Sequence, residues 1–399
     1  MFNKTLSGTL LISGTAIGAG MLGIPLVTAK AGFLPALGIT AAVWLFMLAT
    51  GYLYLEAALW MPEGSNVLSI SRRFLGRSGR LFAGGMYLFL YYCLMIAYFA
   101  GGAPIFIDLL KNGLGLAPTG VWGYLSYGVV FGGIVVFGLK FVDRINYLLM
   151  TAMFLAYFAL VGGGTAAISW ERFGKRDWGE ALFAAPILFS AFGYHNVIPS
   201  LVTYFDRNVK ILRRSIFWGT LIPFAVFAVW QWLIIGAVPL SAIEGALAQG
   251  MPATQALQSL TGYPWIMQMG QFFAFFALVT SMLGVAFSMV DFLGDGLKWR
   301  PIGAKRIILC AAVFLPPFVL SVLDPSIFVL AIGFAGGFGE AFLNGLLPVA
   351  IVWAGRYVKR AEGREQLAGG KEMLAILFLL GLSVVALEAI FLAQSFFAT

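Results

Sequence analysis

The stretch Gly14-Thr15-Ala16-Ile17-Gly18-Ala19-Gly20-Met21-Leu22-Gly23-Ile24-Pro25 places four glycines and a proline in the middle of the first long apolar run of this chain. A continuous helix is disfavoured there, because each interior Gly costs about 1 kcal/mol relative to Ala and a Pro about 3 kcal/mol. Freed N–H and C=O groups find no water in hydrocarbon, so a broken helix at bilayer depth is tolerated only where it is enclosed by protein or lines a cavity. The expected break is therefore a candidate binding site.

The solvent of this chain follows from composition. Over 399 residues, 61% are hydrophobic and 11% charged, with a mean hydropathy of +0.92; soluble domains run at roughly 45–50% and about 25%. Apolar runs near the length that crosses about 30 Å of hydrocarbon fall at approximately 7–28, 33–56, 81–107, 121–139, 147–169, 184–204, 216–238, 265–293, 307–323, 326–354 and 373–397. Numbered 1 to 11 in that order, they predict an all-α integral membrane protein of eleven transmembrane helices, a single polytopic unit over residues 1–399. Run 1 is too long and Gly-rich for a cleaved signal segment and is expected to be retained.

Charge sets the expected orientation. Counting alternate sides, 20 of the 25 Lys and Arg fall on one side: Lys4, the 57–80 loop, Lys140 and Arg144, the 205–215 loop, 298–306 and 356–371. Short loops rich in Lys and Arg stay cytoplasmic, which puts the N-terminus inside and the C-terminus in the periplasm or outside. The net charge of +8 then reflects topology, and no nucleic-acid partner is expected. Cys93 and Cys310 lie inside runs 3 and 9, so neither a disulfide framework nor a metal site is indicated.

A second punctuated run, Ala185 to Ser200, echoes the first: Ala191-Phe192-Gly193 followed by Ile198-Pro199, against Ala16-Ile17-Gly18 followed by Ile24-Pro25. These are runs 1 and 6, so the halves 7–169 (runs 1–5) and 184–354 (runs 6–10) have opposite topology, with 373–397 as an extra helix. Paired interrupted helices at matching places in inverted halves point to a secondary transporter with its site at the midplane. Gly84-Gly85, Gly101-Gly102, Gly132-Gly133 and Gly162-Gly163-Gly164 read as close-packing contacts between helices. The 239–264 loop, with no Lys or Arg, is long enough for a short lid helix.

Broken helices present N–H groups that suit a carboxylate and carbonyls that suit an ammonium or a cation. An amino acid zwitterion matches both. Thr15, Ile17, Gly18, Ala19 and Gly20 are the expected carboxylate contacts. Phe189, Phe192 and Tyr194 flank the second break, and Tyr91, Tyr92 and Tyr98 stand in run 3, where rings would favour an aromatic substrate; among these the Tyr92 hydroxyl is expected to meet substrate. Intramembrane ionisable groups mark pathways or proton relays, which makes His195, the single histidine, and Glu340 the candidate proton carriers. Glu388 is similarly central in run 11, whereas Asp291 and Glu56 fall near helix ends and suit interfacial charges or gate ion pairs. Thr280 and Ser281 could line a cation site with run 1 carbonyls, or bond between helices. No nucleophile with a matching base, no Walker-type phosphate loop and no metal motif occurs, which argues against an enzyme and a primary pump.

Three motifs in order carry a resemblance over nearly the full chain: Asn3-Lys4-Thr5-Leu6 with the 14–25 stretch, Phe192 to Ser200, and Thr280 to Asp291. They resemble the hydroxy/aromatic amino acid permeases, especially the bacterial tyrosine permeases. The resemblance implies the amino acid/polyamine/organocation superfamily, a five-plus-five inverted-repeat (LeuT-type) fold, and import of tyrosine, tryptophan or phenylalanine with protons. It also implies substrate contacts at Gly18 to Gly20 and around Ser190 to Gly193 and Tyr194, with Thr280 and Ser281 where sodium-coupled relatives hold a cation. Glu340 and Glu388 depart from the neutral residues that pattern implies, and run 5 lacks the mid-helix Lys of some proton-coupled relatives. The expectation is a proton-coupled symporter of an aromatic L-amino acid, tyrosine foremost, in a bacterial cytoplasmic membrane. Its partners are that substrate and the lipid bilayer, with no cofactor and no protein partner. A sodium-coupled carrier of the same fold is the alternative, and an intramembrane enzyme or channel the distant ones.

Overall fold

The computed structural model describes residues 4–116, 118–259 and 264–397. Asn3 of the first motif and the end of the 239–264 loop lie outside these residues. Every element among the described residues is helical. Among the described residues, eight helices are long and apolar enough to cross a membrane, and the bent pair Lys4–Ala16 and Ala19–Thr28 makes a ninth when taken as one span. The remaining expected runs are shorter as helices: run 4 is Val121–Phe137, 17 residues, about 25 Å at 1.5 Å per residue, and run 6 is broken into Ala185–Ala191, His195–Val197 and Ile198–Tyr204.

Both punctuated runs break where their composition demands. Run 1 bends by 48° between Lys4–Ala16 and Ala19–Thr28, and within the second half α-helix resumes at Ile24–Thr28 with Pro25 in its first turn, the position where its missing N–H costs nothing. Run 6 likewise resumes at Ile198–Tyr204 with Pro199 in its first turn.

Two boundaries differ from expectation. Run 3 is part of a helix over Val67–Leu114, opened by an Asn66–Ser69 capping box and broken at Gly76, where φ is 78°. The basic 57–80 loop is thus half helical: Asn66 and Ser69 satisfy the orphan N–H groups, and Gly76 supplies the left-handed backbone that turns the chain into the span. Run 5 starts eight residues early, as Leu139–Gly164. The 239–264 loop does contain a helix, Leu240–Ala248.

Run 10 holds the centre. Phe328–Val358 is 83% buried over its apolar window, against 22% for Arg144–Ala167 and 28% for Gly370–Ala393. Its middle, Ala335–Leu346, is π-helical, a wide turn that often marks functional positions. Close packing rests on small residues, as between membrane helices generally. A Cβ at Gly219 would meet Ile12, one at Gly101 would meet Phe328, one at Gly164 would meet Leu233, and one at Gly337 would meet Glu388. Gly85, Gly133 and Gly162 have open space instead, so only some of the glycine pairs are packing contacts.

Where the Lys/Arg-rich ends gather, Arg356 forms a bidentate pair with Glu56 at 2.7 Å for both bonds, with side chains only 6% and 2% exposed. The Gln366 N–H donates to Glu56 at 2.6 Å and Arg356 donates to the Leu367 carbonyl at 3.0 Å. This joins the ends of runs 2 and 10 to the segment leading into run 11.

Candidate functional site

In an unbroken helix the N–H groups of Gly18 and Ala19 would bond the carbonyls of Gly14 and Thr15. Here Ile17 N–H still reaches Ser13 O at 2.8 Å, but Gly18 is extended at φ −165° and ψ −151°, and Ala19 N–H donates to Ser281 Oγ at 3.2 Å instead. In run 6 the last regular bond is Phe192 N–H to Leu188 O at 3.0 Å, and bonding resumes from Val197 N–H to Tyr194 O at 3.2 Å. The two breaks touch. A Cβ on Gly20 would come 2.8 Å from Ala191 Cα.

A cavity of about 430 Å³ lies between the breaks, within the range of small-molecule sites. Residues 14–20 form one wall, and Ser190, Gly193, Asn196 and Val197 a second. Run 3 contributes Tyr87, Leu90, Tyr91, Leu94 and Tyr98; run 8 contributes Thr280, Ser281, Gly284, Val285 and Ser288; run 10 contributes Glu340 and Asn344. Asn344 Nδ2 donates to Glu340 Oε2. A Cβ on Gly193 would overlap the Glu340 carboxyl, so glycine at 193 lets the acid lie against the broken backbone. Ser190 Oγ and Asn146 Oδ1 are buried without a hydrogen-bond partner, and both line this cavity. Unsatisfied buried polar atoms in a roomy site are groups that a polar ligand or water can satisfy.

The cavity extends along Leu10, Gly14, Asn146, Met150, Asn196 and Ser288, toward the helix ends that carry Lys4, Arg144 and the 205–215 loop. Asn196 and Ser288 are exposed. At the opposite ends the chain is tied together: Asp177 N–H donates to Ala31 O at 2.8 Å, Arg172 donates to Gly236 O at 2.8 Å, and Lys30, just after run 1, pairs with Glu244 on the Leu240–Ala248 helix at 3.9 Å.

Twelve of the residues singled out from sequence therefore meet in one cavity: Thr15, Ile17, Gly18, Ala19, Gly20, Tyr91, Tyr98, Ser190, Gly193, Thr280, Ser281 and Glu340. Five others do not line it. Phe189 packs on Phe46 at 5.1 Å and Phe192 on Phe227 at 5.0 Å between ring centroids. The Tyr194 hydroxyl donates to Met47 O at 3.0 Å. His195 is fully buried, with Nε2 2.9 Å from Thr50 Oγ1 and its ring edge-on to Tyr54 at 6.1 Å. These four anchor run 6 to runs 2 and 7. Tyr92 lies on the far side of run 3, its hydroxyl donating to Ala312 O at 3.0 Å. Positions 87, 91, 94 and 98 recur at helical spacing and share the cavity face, while position 92 is turned about 100° away. That spacing was the available signal for Tyr87, which the sequence reading passed over. Asn344 and Asn146 gave no sequence signal beyond being polar within apolar runs.

Thr280 Oγ1 donates to Phe276 O at 2.8 Å, and Ser281 is engaged with Ala19. Among the described residues no cluster of His, Cys, Asp and Glu could hold a metal ion.

The chain can be compared with known proteins on this basis. Its fold is similar to that of MhsT in a crystal structure with L-phenylalanine, at a TM-score of 0.62, with 14% identity and with 96% of this chain and 98% of that one covered. That likeness shows the LeuT-type fold. In sequence it is 32% identical over 393 residues to the tyrosine-specific transport system 1 of Haemophilus influenzae, covering 96% of each chain. It is 30% identical to the tryptophan-specific transport protein of the same species, covering 96% of this chain and 94% of that protein. The model of the tryptophan/tyrosine permease family matches residues 1–388. Two broken helices around one cavity, on a transporter fold, thus agree with sequence kinship along the whole length: the chain belongs to the tryptophan/tyrosine permease family.

Proposed function

We propose that this permease imports an aromatic L-amino acid, tyrosine in the first instance, by proton symport across a bacterial cytoplasmic membrane. The observation that carries the reading is the joining of two broken helices, three tyrosines of run 3 and one intramembrane acid around a single cavity. The relatives named as tyrosine- and tryptophan-specific transporters support the substrate class. Backbone at Gly18 to Gly20, with the unpaired Ser190 hydroxyl, takes the zwitterion, Gly193 makes room for the Glu340 carboxyl, and the Tyr87, Tyr91 and Tyr98 wall takes the ring. Halves 7–169 and 184–354 act as inverted repeats around this site, with 373–397 as an accessory helix.

Glu340 is the proton carrier in this reading, because it faces the cavity while His195 is sealed against Thr50 and Tyr54. An ionisable group in a water-accessible intramembrane cavity can exchange its proton with solvent, whereas a fully enclosed one cannot. With the Lys/Arg-rich side inside, the cavity opens to the cytoplasm and the structure is an inward-open state. Alternating access then requires runs 1 and 6 to close that mouth and release the ties among Ala31, Asp177, Lys30 and Glu244.

Sodium coupling is the second reading, favoured by Thr280 and Ser281 standing beside the run 1 break. Against it, Ser281 Oγ already accepts the Ala19 N–H, which takes up one of its lone pairs. Uptake of labelled tyrosine into proteoliposomes separates the two. An inward proton gradient should drive accumulation without sodium; accumulation that needs sodium and ignores the proton gradient would refute the proton reading. No uptake of tyrosine, tryptophan or phenylalanine under either gradient would refute aromatic transport.

A further inference from the structure

Among the described residues that line the cavity, Glu340 is the one acid. Its placement is specified by three features. Asn344 Nδ2 fixes Oε2 from one turn away. The missing Cβ at Gly193 leaves room for Oε1, and the π-helical stretch Ala335–Leu346 brings both side chains to the same wall. On the adjoining wall stand Tyr87, Tyr91 and Tyr98, with Tyr87 and Tyr91 edge-to-face at 5.8 Å and run 3 packed on run 10 where a Cβ on Gly339 would meet Leu90. A ring lying in the cavity along this wall therefore meets aromatic surface from run 3 and a carboxyl acceptor from run 10.

A purely apolar slot discriminates poorly between a ring and its hydroxylated analogue, whereas a site that hydrogen-bonds the substrate strongly rejects the analogue lacking the donor. We infer that Glu340, positioned by Asn344, accepts the ring donor of the substrate, the phenol O–H of tyrosine or the indole N–H of tryptophan, and thereby excludes phenylalanine. The inference rests on the aromatic-transport reading above. It is compatible with proton carriage by the same group, because a protonated carboxyl keeps an acceptor oxygen beside its O–H. A phenylalanine in the same pose would leave that carboxyl desolvated without the ring donor and held by Asn344 alone, a loss on the order of 100-fold in affinity for a hydrogen bond to a charged or strongly polar group.

The test is equilibrium binding to the purified full-length protein in detergent, with L-tyrosine, L-tryptophan, L-phenylalanine and 4-fluoro-L-phenylalanine, which fills the place of the phenol oxygen without a donor. Wild type should bind tyrosine and tryptophan on the order of 100-fold more tightly than the other two. Glu340→Met should bring the four ligands within a few-fold of one another. Glu340→Gln, which keeps an acceptor oxygen but cannot ionise, should retain the preference while losing the pH dependence of uptake. A preference that survives Glu340→Met overturns the inference, as does an equal loss of affinity for all four ligands, which would assign Glu340 to the ammonium group. Should Glu340→Met fail to fold, the wild-type series decides, because phenylalanine and its fluoro analogue binding as tightly as tyrosine overturns it. Wild type binding none of the four refutes the aromatic reading itself, an outcome distinct from binding without discrimination.

Discussion

Replacing Gly20 and Gly14 by alanine, one at a time, tests the role given to the first broken helix. The two changes add the same methyl group six residues apart in one run. At Gly20 the new Cβ would stand 2.8 Å from Ala191 Cα and 3.2 Å from Ala191 N, atoms of the run 6 backbone that cannot rotate away. Ordinary carbon–carbon contact needs about 3.5–4.0 Å, so runs 1 and 6 must separate by about 1 Å. Overpacking of this kind costs about 1–3 kcal/mol, and a displacement of about 1 Å in a positioned site costs about 100-fold in function. At Gly14 the Cβ would meet only the terminal Met150 Cε at 3.4 Å, inside the regular helix Lys4–Ala16, where Gly to Ala is worth up to about 1 kcal/mol in favour of folding. Tyrosine binding and thermal unfolding in detergent should therefore move in opposite directions: Gly20→Ala loses about 100-fold in affinity with a lowered Tm, while Gly14→Ala keeps affinity and gains stability. Two variants behaving alike, or Gly20→Ala binding as wild type, would refute the contact between the breaks as the organising feature of the site.

Glu56→Ala leaves the nearly buried Arg356 guanidinium with the half-exposed Glu365, at 3.1 Å, as its remaining acid and should destabilise the protein by about 3 kcal/mol. The double variant Glu56→Leu with Arg356→Met should recover most of that loss in chemical denaturation, and no recovery would mean the pair does more than neutralise itself. His195→Gln should leave the pH profile of proteoliposome uptake in place, since the ring is shut away from the cavity; a flattened profile would return the proton to His195. Tyr92→Phe removes one hydroxyl bond to Ala312 on the far side of run 3, at about 1 kcal/mol of stability, and tyrosine Kd measured alongside should be unaltered.

The class of fold was legible because its causes are local and strong. Eleven apolar runs, clustered Lys and Arg and two Gly/Pro interruptions are properties of short segments, and lipid enforces them by refusing unpaired backbone. The backbone part of the candidate site was legible for the same reason: a helix that breaks must put its freed groups somewhere, and Gly18, Ala19, Gly20 and Gly193 line the cavity. The capped helix ahead of run 3 carried a sequence signal in Asn66 and Ser69, but the apolar length of the span obscured it.

Direction around a helix axis was a different matter. Composition placed Tyr91 and Tyr92, or His195 and Glu340, at comparable depth, yet a step of one residue turns a side chain by about 100°. Which face is enclosed depends on neighbours far along the chain. Met47 and Thr50 claim Tyr194 and His195, Ala312 claims Tyr92, and Phe46 and Phe227 claim the two phenylalanines. The sequence by itself determined the membrane, the helices and the places where two of them break. Only tertiary packing decided which side chains those breaks face, because a cavity belongs to the space between helices and no single run encodes it.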